Sequence, residues 1–329
     1  MATHKKINSS LKNNADTGFA VSANTQGGRF INKDGSYNVR KRGLRFYERI
    51  SFFYKMLTMP VLKFAAVLII FFISINFIFT VIYLSLNDNE FAGVLPGNSI
   101  HHFFELYFFS VQTFTTVGYG RINPDGYLAG GFASIEALTG LSSFALITGI
   151  LYGRFSRPRA YLRFSKHALV APYRDITGLM FRFVSYKENH NLTNVEVTVT
   201  FGLTETDENA QFKFYQLPLE RNRVDSLPMN WTVVHPINED SPLYGFTLED
   251  LRATDAEVYV LVRGFDDIFS NTVLQRTSYR FDEIIFNAKF ESMFYENEDN
   301  TTTIVEVNKL HNYKPIKVEK LTEIRTDKL

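Results

Sequence analysis

Polar positions dominate the first 43 residues, and then the pattern changes. Residues 61–86 are almost wholly apolar, with Lys63 as their only charge. About 20 such residues in a helix cross a bilayer, and a helix apolar on every face does not suit the surface of a water-soluble domain. The stretch therefore predicts a spanning outer helix. A second span is predicted over 127–153. It is less apolar, since it carries Gly130, Gly131, Gly140, Gly149 and Glu136. Small residues let helices pack closely, and an intramembrane carboxylate faces protein or water. Between the two, residues 101–114 are apolar but too short to cross. They predict a re-entrant helix, which is tolerated only where protein or a water-filled cavity surrounds it.

Ahead of the first span, residues 44–59 place Phe46, Ile50, Phe53, Tyr54 and Leu57 at helical spacing, with Arg45, Arg49 and Lys55 elsewhere. Either this is a slide helix lying in the headgroup plane, or it extends the spanning helix. Pro60 argues for a break between them. The pore-forming region is thus 60–153, followed by a linker over 154–165. Beyond it the apolar residues come in short runs rich in β-branched and aromatic types: 179–184, 195–201, 212–217, 231–234, 258–263 and 303–307. Turn residues separate them. Thr247 and Asp250 have the spacing of a capping box for one short helix. Residues 166–310 read as an all-β, immunoglobulin-like sandwich. Residues 1–43, rich in Asn, Ser, Gly and Lys, read as a disordered tail, and 311–329 as a C-terminal tail, frayed past Lys314.

Composition narrows the picture. The chain has 329 residues, a net charge of +1 and no cysteine. Disulfides and Cys-containing zinc sites are excluded, and the charge balance indicates no nucleic-acid partner. No nucleophile–base pair, P-loop or GxGxxG is visible, so an enzyme is not expected. Arg and Lys residues cluster before the first span and after the second, while Arg121 is the only one between. The positive-inside rule then puts both termini in the cytoplasm, with the chain multi-pass in the plasma (inner) membrane.

Thr115–Gly120 reads TTVGYG. Gly118 and Gly120 permit positive φ, so such a loop can turn successive carbonyls toward one axis. Four chains around that axis would stack oxygen rings that replace the water shell of K⁺. The ligands would be the carbonyls of Thr116, Val117, Gly118 and Tyr119, with the Thr116 hydroxyl. Val117 and Tyr119 side chains would point away and pack on the pore helix. Thr115 and Gly120 bound the run.

Helix, re-entrant helix, TTVGYG, helix and β-domain together resemble the inward-rectifier potassium channel family, its bacterial branch in particular. SVQTFTTVGYG at 110–120, RFSRPRA at 154–160, HPINEDSPLYG at 235–245 and SYRFDEIIFNAKF at 278–290 carry the resemblance. It implies a homotetramer conducting K⁺, with no cofactor beyond K⁺ in the filter and with Mg²⁺, Ba²⁺ or polyamines as blockers. It implies that Gly140, Phe144, Thr148 and Tyr152, four apart on one helix face, line the pore, with Gly140 a hinge and Tyr152 at the helix-bundle gate; packing within the bundle is the alternative. Phe144 stands where strongly rectifying members carry an acid, so weak rectification is expected. Gln112 stands where many members have a glutamate behind the filter, so an ion pair from that position is missing. Glu136 either hydrogen-bonds the pore helix or faces water at the outer mouth. Asn194 and Glu196, on one strand face with Thr198 and Thr200, are candidates for blocker binding in a cytoplasmic pore. Arg45, Arg49, Arg157, Arg159, Arg163 and Lys166 either bind anionic phospholipids or phosphoinositides, or serve orientation alone. The rival from another class is a membrane-anchored sensor that conducts nothing.

Overall fold

The computed structural model describes residues 28–43, 45, 51–188, 190–204 and 212–316. The chain divides into two compact units: Lys41–Arg157, and a second built from Met1–Arg40 and Pro158–Leu329.

In the first unit, helix α1 (Phe52–Thr58) starts at Ser51, whose hydroxyl accepts from the Tyr54 N–H at 3.3 Å. Met59 and Pro60 are extended, so α1 ends before α2 (Val61–Leu84) begins. Most of 44–50, including Arg49, lies outside the described residues. The outer helix ends two residues earlier than its apolar run, because the Ser85 hydroxyl bonds back to the Ile82 carbonyl at 2.6 Å. Strand β1 (Phe91–Ala92) follows, then α3 (Ser99–Phe114), then β2 (Asn123–Pro124), which pairs with β1. The pore helix starts at Ser99, not at 101, since the Asn98 side chain accepts from the His101 N–H at 2.8 Å and caps it. Helix α4 (Tyr127–Phe155) runs two residues past its expected end. A Glu90 carboxylate oxygen takes the Ala129 N–H at 2.9 Å, supplying the cap that Gly126 lacks. Among the described residues, two helices, α2 and α4, are long and apolar enough to cross a membrane.

The second unit contains strands β3 (Leu162–Phe164), β4 (Ala168–Tyr173), β5 (Ile176–Ser185), β6 (Leu192–Thr204), β7 (Phe212–Gln216), β8 (Arg223–Ser226) and β9 (Trp231–Ile237). The capping box at Thr247 opens helix α5 (Leu248–Ala253), and β10 (Glu257–Asp266), β11 (Asn271–Arg280) and β12 (Ile284–Phe286) follow. One sheet runs β11-β10-β6-β7 with β8 also on β6. The other runs β12-β4-β5-β3 with β9 also on β5. Period-two alternation drives Val195, Val197 and Val199 of β6 and Val258, Val260 and Val262 of β10 into one core, against Leu179, Phe181 and Phe183 of β5. The expected β-sandwich is present.

Strand β5 is buried on both faces, and this is why its sequence lacks clean alternation. Its second face is covered by β13 (Ala288–Phe290), β14 (Phe294–Glu296), β15 (Thr303–Val305) and β16 (Tyr313–Pro315), together with their connecting turns. Arg182 pins this segment by its backbone. Its Nε donates to the Leu310 carbonyl at 2.8 Å, and its terminal nitrogens donate to the carbonyls of Glu291 at 2.6 Å, of Asn312 at 3.1 Å and of Lys309. Burial lowers the guanidinium pKa to about 10, so the group stays charged at neutral pH. The C-terminal tail expected from 311 is corrected at its start: Tyr313–Pro315 pairs with Ala288–Phe290. Residues 317–329 lie outside the described ones.

The expected N-terminal tail is corrected over its described part, while residues 1–27 lie outside the described ones. Ile31 is buried in a cluster with Phe212, Phe214 and Tyr259. Ser278 Oγ donates to the Ile31 carbonyl at 2.6 Å, and Arg29 and Lys33 both pair with Glu283. Phe30 and Ile31 supply the apolar anchor that the surrounding polar composition hid.

His235 explains part of the HPINEDSPLYG string. Its Nδ1 lies 2.6 Å from the Pro218 carbonyl, which only accepts, so Nε2 takes the Ser241 hydroxyl proton at 2.7 Å. Burial pushes this imidazole's pKa down. A depressed histidine leaves the folded state binding fewer protons than the unfolded one. Its stabilising share is complete above the unfolded pKa of about 6.5 and is lost as pH falls below it. The urea midpoint of the wild type is expected to drop between pH 7 and pH 5, and His235→Gln to reduce that slope. Burial lowers His167 and His311 too, so the change in slope is the quantity to compare.

Candidate functional site

The filter run is built on the end of α3. The N–H groups of Thr115 and Thr116 donate to the carbonyls of Val111 and Thr113 at 3.0 Å each. Those of Val117 and Gly118 both donate to Gln112, at 2.9 and 3.3 Å. In a trans peptide the carbonyl points opposite to the N–H it is bonded to. The carbonyls of Thr115, Thr116 and Val117 are therefore directed away from the pore helix. The backbone φ is positive at every second position: +58° at Thr116, +54° at Gly118 and +81° at Gly120. Alternating handedness keeps successive carbonyls on one side, where an extended strand would send them to opposite sides.

Thr116 is the unexpected member. A β-branched residue in the left-handed region costs about 1–3 kcal/mol and persists only where its surroundings hold it. The four N–H bonds onto the helix end provide that hold. The Gly120 carbonyl is taken by the Asn123 side-chain amide at 2.9 Å, which closes the outer end of the run. Val117 and Tyr119 are 53% and 81% exposed in the single chain.

Behind the filter is a buried polar cluster drawn from three helices. Tyr83 of α2 donates to one Glu136 oxygen at 2.5 Å, and Ser110 of α3 donates to the other. Ser110 also lies 3.1 Å from the Asn76 side-chain oxygen, and Thr80 donates to the Asn76 carbonyl at 2.6 Å. Glu136 is fully buried, so of its two readings the structure shows the bond to the pore helix. The Gln112 backbone carbonyl accepts the N–H groups of Val117 and Gly118. An ion pair is present nearby, but from other residues: Arg121, just past the filter, grips Glu105 of α3 with two nitrogens at 2.7 and 2.9 Å. Sequence reasoning missed this pair, although Arg121 stood out as the lone base between the spans.

On α4 the proposed stripe divides. Phe144 and Tyr152 are 71% and 74% exposed, and Thr148 is exposed, but Gly140 is buried against Phe114. A four-residue step overshoots one helical turn by about 40°, so Gly140 and Tyr152 lie about 120° apart. Near the end of α4, Arg154 donates to the carbonyls of Met56 and, at 2.8 Å, Met59, and lies over the Phe64 ring. It joins α4 to α1 and to the start of α2.

The profile of the inward rectifier potassium channel C-terminal domain matches residues 162–328, and an ion channel profile matches 66–157. Kirbac3.1, an inward rectifier potassium channel of Paramagnetospirillum magnetotacticum, is 31% identical over 81% of this chain and 89% of its own length. The chain belongs to the inward rectifier potassium channel family. It is also similar to inward rectifier potassium channel 4 of Homo sapiens, 28% identical over 64% of this chain, and to ATP-sensitive inward rectifier potassium channel 12 of Gallus gallus, 26% identical over 61%. It spans about half the length of those two vertebrate relatives, 50% and 49%. Its relatives are channels, not enzymes.

The other expected sites of this inward rectifier fall on both units. Arg157 is exposed in the first. Arg159, Arg163 and Lys166 are exposed in the second, where Arg163 lies over the Tyr186 ring at 4.9 Å. Arg163 and Lys166 line a cleft of about 460 Å³ with Lys33 and His167. Burial, and then the Lys33 charge, push the His167 imidazole pKa down. Arg45 is exposed and Arg49 lies outside the described residues. On β6, Glu196 is exposed and Asn194 sits at a bulge with φ +49°, its side-chain oxygen accepting from Arg223 at 2.7 Å.

Proposed function

We propose that four copies of this chain surround a common axis and form a K⁺-selective pore, with the carbonyls of Thr116, Val117, Gly118 and Tyr119 as ion ligands. The alternation of φ along the filter carries this reading, since it aligns the carbonyls that dehydrated K⁺ requires. A neighbouring copy would also cover the exposed Val117 and Tyr119 side chains. Closure is assigned to the inner helices, where a ring of Tyr152 side chains gates by sterics and dewetting. Both termini are assigned to the cytoplasm of the plasma membrane by the placement of basic residues. Arg157, Arg159, Arg163 and Lys166 are assigned to anionic lipid headgroups, at about 1 kcal/mol per charge near the surface.

The test is K⁺ tracer uptake into liposomes holding the purified chain, with Na⁺ as competitor, Ba²⁺ as blocker and graded phosphoinositide. Ba²⁺-sensitive uptake that prefers K⁺ supports the reading, and the lipid series gives the sign of regulation. Purified tetramer that stays silent in every lipid, and also as Tyr152→Ala, contradicts it.

Weak rectification follows from Phe144, an uncharged side chain facing the assigned cavity. Phe144→Asp is expected to introduce spermine block of K⁺ uptake, by about tenfold or more in half-blocking concentration, because four added carboxylates attract a polycation. Unchanged spermine sensitivity would remove Phe144 from the pore lining.

A further inference from the structure

Two histidines stand where the C-terminal segment meets the sandwich, and the contacts of each require the neutral ring. The 3₁₀ turn Val307–His311 and strand β16 lie over β5. Leu310 is fully buried there, and the Arg182 guanidinium holds the carbonyls of Lys309, Leu310 and Asn312. His311, between those carbonyls, accepts the Lys166 N–H on its Nδ1 at 3.3 Å. A ring nitrogen that accepts a hydrogen bond carries no proton. Protonating Nδ1 would break this bond and set two N–H groups against each other. His167 follows Lys166 in the turn between β3 and β4. Its ring meets Tyr313 of β16 edge-on, with centroids 5.7 Å apart. Its Nδ1 is buried and has no hydrogen-bond partner among the described residues. A proton added there would be a buried donor without an acceptor.

The turn that carries Lys166 and His167 is itself fixed. The Ser165 N–H donates to the Arg182 carbonyl and the Ser165 hydroxyl to the His167 carbonyl, each at 2.8 Å. Lys33 of the N-terminal segment donates to the Lys166 carbonyl at 3.0 Å. The charges around the two rings are mostly positive: Lys166, Arg163 and Arg182 face His311, and Lys33 and Lys166 face His167, with Glu283 opposing them there. The nearby acids are already engaged. Glu283 pairs with Arg29 and Lys33, Glu306 pairs with Lys309, and Glu291 acts on Arg182 and Lys309. Burial, and then these cations, push both imidazole pKa values down. Arg182 stays charged throughout the imidazole range and adds no pH dependence of its own.

We propose that His167 and His311 form an acid-released clasp: proton uptake detaches Val307–Pro315 from β5 and from the Ser165–His167 turn, while the rest of the sandwich stays folded. The shut clasp binds fewer protons than the open one. Its stabilising share is therefore complete above the ordinary imidazole pKa of about 6.5 and is lost as pH falls below it. Local opening of this kind needs only the contacts of one segment to yield, not the core. The clasp lies wholly within the second unit and does not depend on the pore reading.

The test is hydrogen–deuterium exchange of the full-length protein at pH 7.5 and pH 5.5, corrected for intrinsic rates, with peptides over 307–316 compared with those over β6 and β10. On acidification the wild type is expected to lose protection over 307–316 by about tenfold or more, with no comparable loss in β6 and β10. A double variant, His167→Phe with His311→Asn, keeps a ring at one position and an acceptor oxygen at the other but takes up no proton. Its protection over 307–316 should stay constant. His235→Gln removes a histidine outside the clasp and should leave the loss over 307–316 intact. Unchanged protection over 307–316 in the wild type would overturn the proposal. So would a loss matched by β6 and β10, or one that persists in the double variant. Should the double variant already be unprotected at pH 7.5, the wild type and His235→Gln decide: a loss confined to 307–316 in both upholds the clasp, and a loss that is absent or global in either overturns it.

Discussion

Gly140→Ala is expected to abolish K⁺ uptake and to impair formation of the tetramer. A Cβ at position 140 would lie 2.0 Å from the Phe114 carbonyl oxygen, 2.8 Å from its carbon and 3.2 Å from its Cα. These are backbone atoms, so no rotamer change relieves the clash, and either the pore helix or the inner helix must move. Phe114 is the last residue of α3 and stands directly before the filter. The displacement therefore reaches the carbonyls of Val111, Gln112 and Thr113, which hold the filter N–H groups. Overpacking a core, with the backbone shifts it forces, typically costs about 1–3 kcal/mol. Gly149→Ala is the comparison. Nothing stands within 4 Å of a Cβ there, and alanine is the better helix former by about 1 kcal/mol. Uptake and migration as a tetramer should survive Gly149→Ala and fail in Gly140→Ala. Normal uptake by Gly140→Ala would mean that the close contact between α4 and Phe114 does not hold in the working channel.

Glu136→Ala is expected to give the second largest loss. The carboxylate accepts from Tyr83 and from Ser110; its removal leaves the buried Tyr83 hydroxyl without its partner, while Ser110 keeps the Asn76 oxygens at 3.1 and 3.2 Å. The orphaned Tyr83 hydroxyl costs about 1–3 kcal/mol, and the cavity left by the side chain adds to that. The cluster joins α2, α3 and α4 behind the filter, so the loss should appear both as a lower melting temperature of the detergent-solubilised tetramer and as reduced uptake. Glu136→Gln keeps one acceptor oxygen and nearly the same volume, and should recover a substantial part of both. Equal loss in the Ala and Gln variants would assign the role to charge and not to hydrogen bonding. No loss in either would dissolve the cluster as a support.

What was legible beforehand depended on distance along the chain. The spans, the re-entrant helix and the sandwich follow from local periodicity, which needs only neighbouring residues. Gly118 and Gly120 announce positive φ because glycine is the residue that adopts it freely, but Thr116 adopts it under tertiary constraint, and a β-branched residue gives no sign of that in advance. Glu136 stood out as a carboxylate in an apolar helix. Its partners Ser110 and Tyr83 are 26 and 53 positions away, and three helices must pack before they meet it. Gly140 was grouped with Tyr152 because both fit a spacing of four; drift around the helix separates them. Residues 29–38 and 311–316 looked like tails because two apolar anchors and one strand pairing are weak signals within polar sequence. Arg182 falls inside an otherwise apolar strand, and only the carbonyls of a segment more than 100 residues away explain its burial.

The most direct measurement of the central claim is the reversal potential of currents from the purified protein in a planar bilayer, first under a tenfold KCl gradient and then with Na⁺ replacing K⁺ on one side. A K⁺-selective tetrameric pore predicts a reversal near the K⁺ equilibrium value, about 59 mV per tenfold gradient, with a further shift in the K⁺-selective direction when Na⁺ is substituted and loss of current with Ba²⁺. Currents that reverse near zero in both conditions, or no current from protein that migrates as a tetramer and carries Tyr152→Ala, would contradict it.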